Sequence, residues 1–489
     1  MTTTMGTDAV AINTRMEIFR RYIDRNHMQH NDYQYDGVQW CITNELCVNP
    51  LHGVRGGFIA DEMGLGKTII TIGTLLTNFL TNTLIVVPPV LIDQWYTQLY
   101  KTTGHKPIIY HGHNKKKITL KQLSSAIIVI TTYGAITVSH KLRQQNVLTP
   151  LHSVRWQRIV FDEAHHLRNH TNSLYLSAKL LNTHIRWLIS GTPIQNSRKD
   201  FYHLCAFLRL PKDFYSCEAN IPVLNSSFIL KRTKAEVGIC ISPLHVDTTI
   251  VDWSNHHEMR LAEEIHSELS FSGVSHAKRG NLLRCFNSHY DNEKGRLLLL
   301  MLKAKQCSVM PKLLQSSIDL CQPYLTDYSN YHDAVHASSK LDSVVDHIVA
   351  RRDNGNSKIV FCHYRLEIDE IAARLRGFGI DNVATFDGRH NVASRKHILT
   401  NVYDVLILQI QTASEGLNLQ SYNEIYFVTP HWNPAIEDQA VARCHRIGQT
   451  KPVFVHRFIM SSFDEDSVTI EKYTSSVQDN KRLIVGKYI

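Results

Sequence analysis

The sequence predicts an α/β protein with two parallel-sheet domains joined by a helical segment. Between residues 33 and 234, short β-rich apolar runs alternate with amphipathic or turn segments: FIAD, LIVVPP, AIIVITTY, RIVFDE and RWLISGTP. A second series begins near residue 340: KIVFCHY, VATFDG, VLILQIQ, EIYFVTP and VFVHRFI. Buried strands of parallel sheets have near-continuous apolar sequences, and helices cross between them. The two series therefore predict two lobes, each with its own sheet.

The domain boundaries follow from where the strand series stops and restarts. Between about residues 236 and 339 the sequence favours helix, includes LLLLMLKAKQC and shows no strong strand series. We predict a helical linker or protrusion there. The resulting division is a lead-in over 1–29, a first lobe over 30–235, the linker over 236–339, a second lobe over 340–475 and a tail over 476–489.

Composition favours a folded, soluble, intracellular protein. The 489 residues are 43% hydrophobic and 20% charged, and apolar runs such as residues 297–302 are too short to span a bilayer. The polar start MTTTMGTDAV lacks the apolar core of a secretion signal. Ten cysteines without a Cys-x-x-Cys pair predict neither a disulfide framework nor zinc, and we expect buried free thiols. Adjacent histidine pairs do not have the spacing of a helical metal site.

The positive charge is unevenly distributed. The formal net charge is +9, and the stretch between Asp93 and Asp162 holds no acidic residue but ten Lys or Arg, among them Lys115, Lys116 and Lys117. A concentrated basic face attracts phosphate backbones through counterion release. Charge alone leaves open whether this face binds a polyanion or is only solvated.

A phosphate-binding loop is predicted where the first strand meets a helix. GGFIADEMGLGKTIITIG suggests strand, glycine-containing loop and helix. In Gly64-Leu65-Gly66-Lys67-Thr68 the glycines let backbone N–H groups approach phosphate. Lys67 would pair with the β and γ phosphates, and Thr68 would help to hold Mg²⁺. Asp61 stands where a phosphate-binding loop usually has its first glycine. The alternative is therefore that Gly-Lys-Thr occurs here by chance and does not bind phosphate.

Two acids follow a later apolar strand. RIVFDEAHHL places Asp162 and Glu163 at the strand end, where one carboxylate can hold Mg²⁺ through water and the other can orient or deprotonate an attacking water. The alternative, two helix-capping acids, is disfavoured because a phosphate loop lies about 95 residues upstream.

Phosphoryl transfer also requires positive charge on the transition state, and the second lobe offers candidates. QAVARCHRIGQ places Arg443 and Arg446 at i, i+3, with Gln439 one turn earlier, so we expect both arginines on one helical face. A solvated helix face is the alternative. The position in the second lobe favours an arginine finger.

With these pieces, the chain resembles the Swi/Snf family of superfamily 2 DNA-dependent ATPases from about residue 30 to 475. DEMGLGKT has the family's own form of the phosphate loop, with an acid at position 61. Further segments resemble the family's motifs in the family's order: YQYDGVQW, LIVVPPVLIDQW, ITTYG, SGTPIQN, LKRTK, ASEGLNL, HWNP and QAVARCHRIGQ. No RING-like cluster interrupts the lobes, so the resemblance is to a compact motor without chromatin-reading modules.

The resemblance implies two tandem RecA-like lobes, with ATP and Mg²⁺ as cofactors. The implied roles fall into five groups: catalysis by Lys67, Asp162, Glu163, Arg443 and Arg446; ATP binding by Gln34, Asp61, Glu62, Met63, Gly64, Leu65, Gly66, Lys67, Thr68 and Gln439, with Gln34 on adenine; Mg²⁺ binding by Thr68 and Asp162; lobe coupling by Ser190, Thr192 and Gly416; and DNA contact by Pro88, Thr131, Asn418 and Trp432.

Double-stranded DNA is the implied partner, alone or with nucleosomes or other DNA-bound proteins, and no membrane or zinc is expected. The implied state is a monomeric motor in the nucleus or, for a viral protein, at the site of viral DNA replication or transcription. Ser414-Glu415 and His431 depart from the family pattern near the DNA track.

Two other functions stay open from the sequence. DEAH at residues 162–165 also occurs in strand-separating DNA or RNA helicases, and the basic face would suit a non-catalytic DNA-binding scaffold. The biological task is open among nucleosome sliding, repair or fork remodelling and displacement of a stalled polymerase.

Overall fold

The protein is represented by a computed structural model, which describes residues 9–192, 197–278, 280–287, 293–325, 328–413 and 417–488. The chain forms two compact units. The first unit comprises Met1–Cys240 and Leu483–Ile489, and the second comprises Ile241–Arg482. Within the described ranges, no helix has both the length and the apolar character needed to cross a membrane.

The first unit is built on a seven-stranded sheet with the order β3-β4-β2-β5-β6-β1-β7. Every neighbouring pair in it is parallel. Its strands are β1 (Arg55–Ile59), β2 (Thr83–Val87), β3 (Ile108–Tyr110), β4 (Ile128–Thr132), β5 (Arg155–Asp162), β6 (Asn182–Ile189) and β7 (Ile229–Leu230).

Helices cover both faces of this sheet: α1 (Ala9–Arg25), α2 (Asp32–Leu46), α3 (Lys67–Thr77), α4 (Ile92–Thr103), α5 (Leu120–Ser125), α6 (Tyr133–Ile136), α7 (His140–Gln144), α8 (Ser173–Lys179), α9 (Arg198–Phe207), α10 (Lys212–Ser216) and α11 (Ile221–Phe228). Successive strand residues alternate between two apolar cores. Phe161 belongs to one core and its neighbour Val160 to the other. This burial on both faces explains the continuous apolar strand sequences.

The lead-in over residues 1–29 contains a helix that packs on the first unit. Phe19 of α1 is fully buried, and a Cβ at Gly73 of α3 would lie only 2.6 Å from its ring. Arg15 donates to the Thr77 carbonyl at 2.9 Å. Glycine at position 73 therefore permits α1 to approach α3 closely.

The second unit has a six-stranded parallel sheet with the order β10-β11-β9-β12-β13-β8. Its strands are β8 (Leu244–Val251), β9 (Lys358–Cys362), β10 (Val383–Phe386), β11 (Val405–Gln409), β12 (Glu424–Phe427) and β13 (Val453–Met460). Its helices are α12 (His256–His266), α13 (Asn281–Asn287), α14 (Glu293–Val309), α15 (Gln315–Cys321), α16 (Tyr328–His336), α17 (Ser339–Ala350), α18 (Arg365–Gly377), α19 (Val392–Thr400), α20 (Ile410–Ala413), α21 (Pro434–Cys444) and α22 (Ile470–Tyr488). The two parallel sheets confirm the predicted fold class.

One strand was not expected. The segment over residues 236–339 contains helices, but it also contributes β8, which pairs with β13 along its whole length. Of the residues in β8 only Val251 is buried, because the strand lies at the sheet edge. An exposed edge strand needs no continuous apolar run, so the sequence pattern does not reveal it.

The helices α12 to α16 enclose a core of their own, which includes Leu261, Ile265 and Leu300. Cys285 and Cys321 form a disulfide in this region, with Cα atoms 6.0 Å apart. The expectation of buried free thiols is therefore wrong for this pair, and it is also wrong for Cys217 and Cys240, which are free but exposed. Helix packing brings together two residues that are 36 positions apart, which cysteine spacing alone does not show.

Candidate functional site

The glycine-containing loop connects β1 to α3, as predicted. Gly64 and Gly66 both have left-handed backbones, with φ of +95° and +77°. At Gly66 a Cβ would lie 2.5 Å from Nε2 of Gln34, so this position has neither the backbone angle nor the space for a side chain. Helix α3 begins at Lys67, and the backbone N–H groups of its first turn lie at the loop.

Lys67 is held over the loop by main-chain oxygens. Its Nζ donates to the Asp61 carbonyl at 2.8 Å and to the Glu62 carbonyl at 3.4 Å. Thr68 is half-buried in the first turn of α3. The buried residue Leu65 anchors the loop from beneath.

The predicted coupling segment lies against this loop. A Cβ at Gly191 would be 2.9 Å from Cγ of Met63 and 3.4 Å from Nζ of Lys67. Ser190 donates its backbone N–H to the Ile59 carbonyl at 3.2 Å, and its hydroxyl accepts from the Thr192 N–H at 3.2 Å. A shift at residues 190–192 would therefore reach the loop directly.

The carboxylates of Asp61 and Glu62 face a basic segment that the sequence analysis did not connect with them. Arg232 donates Nε to Asp61 Oδ1 at 3.1 Å and Nη2 to Oδ2 at 2.5 Å. Lys234 donates Nζ to Glu62 Oε1 at 2.7 Å and its backbone N–H to Oε2 at 2.8 Å. The signal available in the sequence was the two acids of DEM and the bases of KRTK. Asp61 and Glu62 thus brace the loop through their side chains.

Gln34 lies beside the same loop at the start of α2. Its side chain is buried, and Nε2 donates to the Tyr33 hydroxyl at 3.3 Å and to the Leu65 carbonyl at 3.5 Å. Arg232 donates Nη1 to the Tyr33 carbonyl. The structure therefore brings Gln34 and the predicted phosphate loop together.

The strand β5 ends at Asp162, and Glu163 follows in a left-handed conformation with φ of +51°. This backbone conformation is energetically costly for any residue other than glycine, and it is often found at functional sites. Oδ2 of Asp162 accepts from Nε1 of Trp95 at 2.7 Å, and Oδ1 accepts from the Glu163 N–H at 2.9 Å. His165 Nδ1 lies 3.3 Å from Glu163 Oε2.

The environment of Asp162 opposes its ionisation. Burial raises its pKa to about 6, and the charge of Glu163 acts in the same direction, whereas the Trp95 hydrogen bond and the charge of Lys67 lower it. The effect of Lys67 shows that the loop lysine and this acid share one electrostatic environment.

These residues fit a nucleoside triphosphate with a divalent cation. The glycine cradle at Gly66 would be filled by a Cβ, the α3 amides and Lys67 suit phosphate oxygens, and Thr68 and Asp162 offer oxygens of the kind that Mg²⁺ prefers.

In the second unit, α21 carries Gln439, which is buried, and Arg443. The helix ends at Cys444 and the cap residue His445 has non-helical angles, so Arg446 lies beyond it. The expectation that both arginines share one helical face is therefore wrong. Arg446 Nη1 is 3.4 Å from Oδ1 of Asn418. Gly416, Ser414 and Glu415 lie outside the described residues.

The DNA-contact candidates differ in exposure. Thr131 is fully buried in β4 and donates to the Tyr110 carbonyl at 2.9 Å, so we remove it from the set of direct contacts. Pro88 is buried, and its neighbours Pro89 and Val90 are exposed.

The HWNP segment presents a more accessible candidate. Trp432 is 40% exposed, and Lys481 Nζ lies 5.4 Å from the centre of its ring. Burial lowers the pKa of His431 to about 4, so this residue is neutral at physiological pH. Its ring accepts from the Asn433 N–H at 2.9 Å and thereby shapes the turn that carries Trp432.

Comparison with known proteins places these features in a family. The SNF2-related domain model matches residues 33–313, and the helicase conserved C-terminal domain model matches residues 339–448. A "probable global transactivator" of Orgyia pseudotsugata multicapsid polyhedrosis virus is 28% identical, over 93% of this chain and 90% of that protein.

Two cellular relatives are longer than this chain. The ATP-dependent DNA helicase DDM1 of Arabidopsis thaliana is 26% identical over 91% of this chain and 61% of its own length. The ISWI chromatin-remodeling complex ATPase ISW2 of Saccharomyces cerevisiae is 27% identical over 89% and 39%. The solved "Sulfolobus solfataricus SWI2/SNF2 ATPase core in complex with dsDNA" is 23% identical, with a TM-score of 0.39 and coverage of 94% of this chain and 97% of that one.

Proposed function

The chain belongs to the family of proteins with an SNF2-related domain, and from this premise we propose that it is an ATP-driven motor that moves along double-stranded DNA. The family resemblance inferred from the motifs is thereby confirmed. The similarity to an ATP-dependent DNA helicase and a chromatin-remodelling ATPase supports ATP use and action on DNA.

The observation that carries the proposal is the arrangement at the end of β1 and β5. Lys67 and Thr68 start a helix behind a glycine loop, and the charge of Lys67 acts on Asp162, which is followed by the strained Glu163. A scaffold that did not hydrolyse ATP would have no need of this set.

Each residue has a proposed task. Gln34 contacts the base, the loop amides and Lys67 hold the phosphates, and Thr68 and Asp162 hold Mg²⁺. The cation, when bound, neutralises developing charge on the phosphates. Glu163 orients and deprotonates the attacking water, a task that suits a carboxylate fixed by its backbone.

The second unit supplies the remaining proposed groups. Arg443 and Arg446 stabilise charge on the transferring phosphoryl group, which in related chemistry is worth about 10³-fold or more in rate. Because Asn418 contacts Arg446, a DNA contact at Asn418 would sense the position of this arginine. Ser190 and Thr192 relay changes at the phosphate loop.

Duplex DNA is the proposed track. The exposed Lys115, Lys116 and Lys117 lie in the acid-free stretch, and Trp432 offers an exposed ring in the second unit. Contacts to the phosphate backbone carry little sequence information, so we expect low sequence specificity. The proposal includes remodelling of DNA or protein–DNA complexes, either on nucleosomes, at repair sites or in transcription. It also includes a monomeric state and a location in the nucleus or at the site of viral replication.

The decisive experiment measures ATP hydrolysis by the full chain with bare duplex, forked DNA, single strands, RNA and nucleosomes. We expect duplex DNA to stimulate turnover, and Lys67→Ala and Glu163→Gln each to lower kcat by about 100-fold or more. The exposed residue Lys179 of α8 provides the control, Lys179→Ala, which should retain wild-type turnover.

Other outcomes would contradict the proposal. Full turnover by Lys67→Ala, or no response to duplex DNA, would exclude the motor. Unwinding of a tailed duplex would instead support a strand-separating helicase, and displacement of a triplex third strand without unwinding would support translocation on intact duplex.

A further inference from the structure

Two buried aromatic side chains reach Asp162 from different parts of the first unit. Trp95 donates Nε1 to the carboxylate oxygen Oδ2 at 2.7 Å, and Tyr133 donates its hydroxyl to the main-chain carbonyl of Asp162 at 2.6 Å. Trp95 is 1% exposed and Tyr133 is 6% exposed. Both donor side chains are therefore buried, and they hold the side chain and the main chain of the residue that ends β5.

Each aromatic residue belongs to a segment that also reaches the surface. Trp95 lies in the first turn of α4, directly after the turn with the exposed residues Pro89 and Val90. Tyr133 starts α6, immediately after β4, and its neighbour Gly134 is exposed. These are the two segments, LIVVPPVLIDQW and ITTYG, that are candidates for DNA contact.

We propose that Trp95 and Tyr133 are positioning residues that hold Asp162 in the orientation in which it binds Mg²⁺, and that they connect this acid to the DNA-facing turns. The proposal rests on the proposed function, because it takes Asp162 as the metal-binding acid. Under this proposal, Thr131 and Pro88, which are themselves buried, have a structural role: they hold the neighbouring residues of the two turns in place.

The hydrogen-bond geometry supports this role. An ionised carboxylate offers about four lone-pair sites. Trp95 and the Glu163 N–H each occupy one site, on different oxygens, so the remaining sites stay available to a cation or its bound water. Partners that orient a metal-binding carboxylate in this way affect metal affinity or activity by about 10 to 100-fold.

The unit provides matched controls for both residues. Trp187 is also 1% exposed and donates Nε1 to a carboxylate, Glu45 Oε1, at 2.7 Å. Tyr175 is 4% exposed and donates its hydroxyl to a main-chain carbonyl, that of His203, at 3.0 Å. Neither control bond involves Asp162. Phenylalanine at any of the four positions retains an aromatic ring and removes the donor.

The test measures Mn²⁺ affinity by electron paramagnetic resonance, with a non-hydrolysable ATP analogue and with or without duplex DNA. We expect Trp95→Phe to weaken Mn²⁺ binding by about 10 to 100-fold. Tyr133→Phe should act in the same direction by a smaller factor, because it releases the main chain and leaves the carboxylate bonds in place. Trp187→Phe and Tyr175→Phe should bind Mn²⁺ as the wild type does.

Duplex DNA provides the second measurement. In the wild type we expect DNA to tighten Mn²⁺ binding by about fivefold, a typical coupling between two sites, and we expect Trp95→Phe to lose this effect. Thermal unfolding of all four variants reports lost stability separately, so a purely structural role would change melting temperatures and leave the metal affinities of test and control variants equal.

Equal Mn²⁺ affinities for Trp95→Phe and Trp187→Phe would overturn the inference. If Lys67→Ala is inactive in the same preparations, only the inference fails. If Lys67→Ala keeps full turnover, the proposed function fails, whatever the metal affinities are.

Discussion

At the phosphate loop, the carboxylate of Asp61 is fully buried against the guanidinium of Arg232, whose side chain is 17% exposed. A buried charge that loses its partner is costly, typically by about 3 to 5 kcal/mol. Asp61, which stands where other phosphate loops have glycine, therefore introduces a buried negative charge that Arg232 must compensate. The pair joins the segment before Gly64 to the segment that follows β7, the last strand of the first unit.

We predict that Arg232→Met lowers the free energy of unfolding by about 3 to 5 kcal/mol, because Asp61 is left buried and unpaired. Urea denaturation measures the change. The control is Arg198→Met, whose pair with Glu218 has an N–O distance of 3.8 Å and side chains that are 52% and 56% exposed, and which should cost under about 1 kcal/mol.

The double variant Asp61→Asn with Arg232→Met should recover part of the loss, since it removes the unpaired charge. A double variant that is less stable than Arg232→Met alone would show that the stabilisation does not come from this charge pair.

Among the structural elements, those buried on both faces are the ones that the sequence predicts. RIVFDE and KIVFCHY indicate β5 and β9 because a central parallel strand needs apolar residues at every position. The strand β8 is exposed at the sheet edge and has no such pattern. Helix α21 stops before Arg446 because its angles change at His445, a local feature that the i, i+3 spacing does not contain.

The residues of the candidate site also fall into those that the sequence predicts and those that it does not. The loop-to-helix turn at Gly64-Leu65-Gly66-Lys67-Thr68 is local in sequence and was predicted. The bond from Trp95 to Asp162 spans 67 positions and that from Arg232 to Asp61 spans 171, so both depend on the folded sheet order. Thr131 is buried because it lies on a central strand, which outweighs its polar side chain.

In the strand β12, Glu424 is a buried acid held by a cluster of donors. Burial alone would raise its pKa, but hydrogen bonds from Arg351 and Asn356 and the charge of Lys358 lower it to about 2. An unfolded glutamate titrates at about 4.3. The carboxylate therefore stabilises the folded unit fully above pH ~4.3, and this stabilisation is lost as the pH falls towards ~2.

We predict that Glu424→Gln lowers the free energy of unfolding by about 3 kcal/mol between pH ~5 and ~8, with a difference that shrinks below pH ~4.3. Chemical denaturation across pH measures it. Asp353→Asn in the same unit is the control, because Asp353 is 87% exposed beside Arg352 and should cost little at any pH. A difference for Glu424→Gln that grew with acidity would contradict the assigned pKa direction.

At the scale of the whole molecule, the net charge of +9 is concentrated in a stretch of lobe one that holds ten bases and no acid between Asp93 and Asp162. If this face follows the phosphate backbone, each lost phosphate contact should reduce the slope of log affinity against log salt by about 0.9. Sequence preference should not change, because phosphate contacts carry no base information.

We therefore predict that replacing Lys115, Lys116 and Lys117 by Gln weakens duplex binding by the same factor on unrelated sequences and reduces the salt slope by up to about 3. Fluorescence anisotropy at several salt concentrations measures both. A control with equal charge change replaces the exposed Lys179, Lys199 and Lys212 of the same unit, which lie outside the acid-free stretch. If both triple variants lost affinity equally, net charge alone would account for the binding; a loss confined to the first would locate phosphate contacts at residues 115–117.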